Sequence, residues 1–334
     1  MRLGDAASST LGFAATATVI GCGGKLLRRP SEDEAGQWLS RVACPPNLST
    51  RKAEKSMTVQ LGGKSVVVTG ASAGIGRSLT TVLVDKGASV VGNGRRPDPG
   101  YALEKEISKR GGGFTFIPAD VSKTEDCERT ISAAIDKHGR VDALINNAAL
   151  MLPFRRVEEM SDTDWRTILD VTLDGVMKMS RAVLPAMQEQ RDGTIISIAS
   201  ITAVQGVERE AAYSVAKAGV LSFTRVLAIE NLSYGIRANA VIMGGVASEM
   251  SDTALVEMGR TVHGPDWTPD MDEVRRANKA LLQDPDAVAR SVVLLCSDDA
   301  REITGATIAI DRAWSAGSLT SAMLNSAAGG QIGS

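Results

Sequence analysis

Ser65-Val66-Val67-Val68-Thr69-Gly70-Ala71-Ser72-Ala73-Gly74-Ile75-Gly76 is the stretch from which the rest of the chain is best read. An apolar strand, Ser65 to Thr69, runs into a glycine-rich turn, and the residues after Gly76 open a helix. In that context glycines permit a tight turn and close approach of backbone to a pyrophosphate, whose charge is stabilised by free N–H groups and the positive end of the helix dipole. Gly70, Ser72, Gly74, Ile75 and Gly76 are therefore candidate dinucleotide contacts. The alternative is a plain structural turn.

Outward from this turn, short apolar runs alternate with longer segments of helical period. The predicted strands are Ser65–Thr69, Ala88–Gly92, Phe114–Pro118, Val141–Asn146, Thr194–Ala199, Arg237–Ile242 and Ala306–Ile310. Several are apolar throughout, as strands buried on both faces should be. The expectation is an α/β fold: a Rossmann-like doubly wound parallel sheet of about seven strands, helices on both faces, in a single domain. Ser122 with Glu125 predicts a capping box for a helix from about Lys123 to His138, and Asp284-Pro285 predicts an N-cap with proline at the first helical position.

The second strand leads into Asn93-Gly94-Arg95-Arg96, with no acid where a dinucleotide fold places the group that meets the adenosine ribose. An acid there would bind a free 2′-hydroxyl and repel a 2′-phosphate, whereas Arg95, with Arg96, suits the phosphate. NADP is thus preferred to NAD. Two solvated arginines, with Asp98 serving a free ribose, is the competing reading.

Further along stands Tyr213-Ser214-Val215-Ala216-Lys217, with Ser200 thirteen residues before the tyrosine. On a helix Tyr213 and Lys217 leave one face at i and i+4. A phenol titrates near pH ~10, too high for proton exchange at neutrality, and a neighbouring ammonium would lower it. Tyr213 then exchanges a proton with a carbonyl or alcohol oxygen held by Ser200.

Composition agrees with a small-molecule enzyme. The 334 residues are 43% hydrophobic and 23% charged, with a net charge of −2 and a pI near 5.9. No basic block suggests nucleic acid or membrane. Cys22, Cys44, Cys127 and Cys296 lack metal-ligand spacing, and His138 and His263 are the chain's histidines, so no metal is expected. Residues 1–56 differ in character from the remainder of the chain and read as an N-terminal extension: a disordered tail or misassigned start with Met57 the functional start, or a targeting segment. The expected location is cytoplasmic, with organelle import through that extension as the alternative. The domain is expected over 57–314, and 315–334, rich in Ser, Ala and Gly, as a flexible tail.

Over roughly residues 60–314 the sequence resembles the short-chain dehydrogenase/reductase family. Thr69 to Gly76 looks like its cofactor turn, Asp120-Val121 like its adenine contact, and Asn146-Asn147-Ala148-Ala149 like its Asn-Asn-Ala-Gly motif, with Asn147 near the cofactor. Ser200, Tyr213 and Lys217 match its catalytic triad, and Val246 and Ser248 the positions that hold the nicotinamide carboxamide. The resemblance implies hydride transfer from the cofactor, Lys217 also binding the nicotinamide ribose, and a homodimer or homotetramer assembled through helices near Asp164–Gln190 and Ala211–Tyr234. Departures are plain. Thr172 stands where the family carries a fourth catalytic residue, an asparagine; Met243 replaces a proline, Ala149 a glycine, and Asp311-Arg312-Ala313 an Asp-Gly-Gly. A threonine hydroxyl can hold a water without the amide geometry.

Specificity is expected from a lid over about 247–284 carrying Met250, Leu255, Met258, Trp267 and Met271, unless these merely pack into the core. Arg209 is a candidate contact for an anionic or polar substrate group, or else a solvated loop residue. The leading expectation is an NADP(H)-dependent oxidoreductase interconverting a carbonyl and a secondary alcohol. The alternative is a catalytically weak or inactive cofactor-binding sensor or partner protein.

Overall fold

The structure is a computed structural model, in which residues 59–151 and 153–317 are described. The expectations for residues 1–56 and for the tail past 317 lie outside these residues. Seven strands form one sheet, all neighbours parallel, in the order β3-β2-β1-β4-β5-β6-β7. They are β1 Ser65–Val68, β2 Ser89–Gly94, β3 Phe114–Pro118, β4 Ala143–Asn146, β5 Gly193–Ile198, β6 Ile236–Met243 and β7 Thr307–Ile310. The chain steps outward from β1 to β3, then returns to lay β4 beside β1. That reversal opens a crevice beyond the strands' carboxyl ends, where open parallel sheets bind ligands.

The helices are α1 Gly74–Asp85, α2 Pro97–Lys109, α3 Thr124–His138, α4 Asp162–Leu169, α5 Gly175–Gln190, α6 Ala211–Asn231, α7 Glu249–His263, α8 Met271–Leu281 and α9 Pro285–Val293. Strand residues alternate between two cores. Val66, Val68, Val90 and Ile145 face Leu79 and Leu83 of α1, Ile107 of α2 and Val292 of α9. Val67, Val91, Leu144 and Ile195 face Ile131 of α3, Met179 and Val183 of α5 and Leu227 of α6. Each such side chain contributes roughly 1.5–3 kcal/mol by leaving water, so the sheet is a rigid platform for the loops at its edge.

Asp284 caps α9 through Asp286 and Ala287 N–H, as expected. The capping box at Ser122 does not form: α3 starts after Lys123, and the Ser122 hydroxyl donates to Asp120 Oδ1 at 2.8 Å instead. The helical segment expected near Asp164–Gln190 consists of α4 and α5 joined by a π-helical turn, Asp170–Asp174. The start of the expected C-terminal tail is a 3₁₀ turn, Trp314–Ala316.

Candidate active site

The crevice at the β1/β4 switch is a cleft of about 690 Å³, and Gly70, Ser72, Gly74, Ile75, Gly76, Arg95, Asp120, Val121, Asn147, Ser200, Tyr213, Lys217, Val246 and Ser248 all line it. Its size suits a small-molecule or cofactor site. Two observations fit a dinucleotide at one end. A Cβ on Gly76 would stand 1.9 Å from the Gly70 carbonyl oxygen, so only glycine permits this close turn. Ala73, the N-cap of α1, offers no side-chain cap, which leaves the helix's first N–H groups to a ligand. Asn147 holds the turn from the β4 side, donating its amide to Thr69 O at 2.9 Å and Gly70 O at 3.3 Å.

At the end of β2, Asn93 is buried, donates to Thr130 Oγ1 and accepts from Gly70 N–H, so it shapes the turn. Arg95 is exposed on the cleft rim, and Asp98 lies outside the cleft in the first turn of α2. Arg96 also reaches the cleft but is ion-paired with Glu249 at the start of α7, at 2.9 Å.

At the other end, β5 delivers Ser200 and the first turns of α6 deliver Tyr213 and Lys217. Ser200 caps a short 3₁₀ turn, accepting from Thr202 N–H at 3.2 Å. Lys217 is buried, lies 5.5 Å from the Tyr213 ring centre, and donates to the Ile198 carbonyl at 2.6 Å. Burial pulls its ammonium down to about 7 and raises the Tyr213 phenol well above its ordinary value. The Glu210 charge raises the phenol further, and a hydrogen bond with Ser200 offsets part of this. This corrects the expectation that proximity of a Lys217 ammonium lowers the Tyr213 phenol. In this cleft desolvation outweighs it, and a lysine near its titration point carries only part of a charge.

Thr172 is also placed differently from expectation. It is fully buried in the π turn, and its hydroxyl both accepts from Leu150 N–H at 3.0 Å and donates to Leu150 O at 3.1 Å. It does not line the cleft, so its one proton is spent on the backbone rather than on a water at the triad. It ties the loop after β4 to the helix that passes Tyr213.

The lid is helical, α7 and α8, and contributes Met250, Leu255, Met258 and Leu281 to the cleft. Trp267 and Met271 do not reach it. Trp267 packs on Gly259, where a Cβ would stand 2.0 Å from its ring, and stacks on His263 at 5.1 Å. Arg209 likewise turns away, adopts φ 67° and pairs with Glu159 at 3.4 Å. The residue that enters the cleft is its neighbour Glu210, which burial raises to about 7. Trp314, from beyond β7, closes the apolar end. Sequence reasoning passed over both. The signal for Glu210 was its place one helical turn before Tyr213.

Residues 64–258 match the family model described as short chain dehydrogenase. The chain is 36% identical over 256 residues to the short chain dehydrogenase/reductase astE of Aspergillus oryzae, covering 75% of this chain and 94% of that one. It is 32% identical over 253 residues to the 3-oxoacyl-[acyl-carrier-protein] reductase FabG of Vibrio harveyi, covering 76% and 98% respectively. The crystal structure of levodione reductase superposes with a TM-score of 0.70 at 25% identity, covering 77% of this chain and 99% of that one.

Proposed function

The chain belongs to the short-chain dehydrogenase/reductase family, and on that premise we propose that it is an NADP(H)-dependent reductase of a ketone or aldehyde, working in reverse as an alcohol dehydrogenase. It is an NAD(P)-dependent oxidoreductase by family; the finer reading rests on one observation, that Ser200, Tyr213 and Lys217 converge on the same cleft as the glycine turn. Bound cofactor supplies the hydride. The substrate oxygen sits between the Ser200 and Tyr213 hydroxyls, and Tyr213 gives it the proton. Lys217, held on the Ile198 carbonyl, stabilises the developing phenolate in its protonated, ammonium form. The apolar walls from Met250, Leu255 and Trp314 exclude water and strengthen these interactions. Arg95, which has no ion pair among the described residues, and the lack of an acid at the end of β2 support NADP over NAD.

The test is loss of NADPH absorbance with a panel of ketones, aldehydes and quinones, beside Tyr213→Phe. The variant is expected to lose about 10²-fold or more in kcat while still binding NADPH, and NADH is expected to serve less well. Turnover that survives the substitution, or a folded protein that binds NADPH and reduces nothing, would favour the cofactor-binding sensor.

A further inference from the structure

The acid that is missing from the end of β2 is brought to the same place by a distant part of the chain. Glu249, the first residue of α7, pairs with Arg96, the N-cap of α2, at 2.9 Å and across 153 positions of sequence. Both residues line the cleft, as does Arg95. The fold fixes where Glu249 stands. Ser248 and Ser251 form a capping box at the first turn of α7, in which each hydroxyl accepts from the other's N–H, at 3.2 and 2.9 Å. That turn packs on the glycine loop, for a Cβ on Gly74 would stand 3.2 Å from Ser248 Cβ. The lid therefore begins beside the start of α1, and its first side chain reaches the loop after β2. The other acids of the cleft are placed elsewhere. Asp120 accepts from the Ser122 N–H and hydroxyl after β3, and Glu210 precedes Tyr213 at the opposite end.

Resting on the reading that the residues after β2 meet the adenosine ribose, we propose that Glu249 is a cofactor-specificity residue, which restrains the preference for a 2′-phosphate and offers a free 2′-hydroxyl an acceptor. Its carboxylate opposes a dianionic phosphate by charge and holds one of the two arginines that would bind it. A carboxylate accepts at about four positions, so Glu249 can take a hydrogen bond from a hydroxyl without releasing Arg96. The two side chains are 61% and 72% exposed, which makes the pair weak. A phosphate can therefore draw Arg96 away, and the carboxylate is left as the opposing charge. Selectivity is divided between two elements: arginines of the β2 loop favour NADP, and an acid of the lid favours NAD.

The experiment titrates adenosine 2′,5′-bisphosphate and adenosine 5′-monophosphate, which differ only in the 2′-phosphate, into the full chain by calorimetry, as wild type, Glu249→Gln and Arg96→Gln. The readout is the ratio of Kd values, monophosphate over bisphosphate, and binding of the monophosphate reports that a variant is folded. Glu249→Gln is expected to raise the ratio about threefold at low ionic strength, and Arg96→Gln to lower it. The rise should fade at high salt, because both charges are exposed and screened. If Glu249→Gln does not fold, Glu249→Ala carries the test. A rise below about twofold in the folded variant, a fall, or a rise that high salt leaves unchanged overturns this inference. So does an Arg96→Gln ratio no lower than that of the wild type. The NADP reading is judged separately, on the wild type: a ratio at or below one overturns that reading, whatever Glu249→Gln does. A wild type that binds neither nucleotide overturns both.

Discussion

Two residues of the cleft carry titrations that oppose their burial. Glu210 is raised from 4.5 to about 7, so the folded chain binds more protons than the unfolded one between those values and loses stability as pH rises through that window. Lys217 is lowered from 10.5 to about 7, so the folded chain binds fewer protons between about 7 and 10.5 and gains stability as pH rises through that window. Together they place a minimum near neutrality in the cleft's contribution to stability. Asp126 and Asp298 act elsewhere: their carboxyls are lowered, by a backbone N–H from Asp120 and by Lys64 respectively, and that stability is lost only below about 3.8. Glu210→Gln is expected to raise Tm at pH 8 by on the order of 5 °C and to do nothing at pH 4.5. Lys217→Met should help more at pH 6 than at pH 10. Thermal melts across pH check both; variants whose Tm differences from wild type do not change with pH would refute the assignment.

At the scale of elements, the π turn is the feature most open to a direct test. Thr172 satisfies both the N–H and the carbonyl of Leu150, so Thr172→Val leaves two half-buried backbone groups without that partner and is expected to cost about 1–3 kcal/mol, with Thr172→Ser costing less. Denaturant melts would show it, and equal stability of the two variants would refute it. All seven strands were legible from short apolar runs between helical segments, with ends shifted by at most two residues; β1, buried along its whole length, gives the plainest signal. The glycine turn and the Ser200, Tyr213 and Lys217 constellation were legible through spacing. Other features depend on three-dimensional competition. Ser122 was equally able to cap α3 or bind Asp120, and the second won. Arg209 and Glu210 are adjacent polar residues that the sequence does not tell apart, and in the fold Arg209, with a left-handed backbone, pairs with Glu159 while Glu210 lines the cleft. Thr172 was seen as a departure, but its partner Leu150 lies 22 residues away and no local pattern pairs them.

For the whole molecule, α6 has an apolar outer stripe as well as a buried face. Val215, Val226 and Ile229 are 49%, 46% and 77% exposed and lie on one side of the helix. Such a stripe matches a two-fold pairing of two copies through the same helix. Light scattering of the full chain is expected to give a multiple of 35.1 kDa, and Ile229→Asp to reduce it; a wild type of monomer mass would overturn the pairing. The other end of the molecule has a practical use. Trp314 lines the substrate side of the cleft, whereas Trp267 is packed within the lid against His263. The indole in the cleft is thus a built-in optical probe: its emission overlaps the absorption of a reduced nicotinamide, so ligand arrival can be followed by energy transfer, without a label and before any turnover.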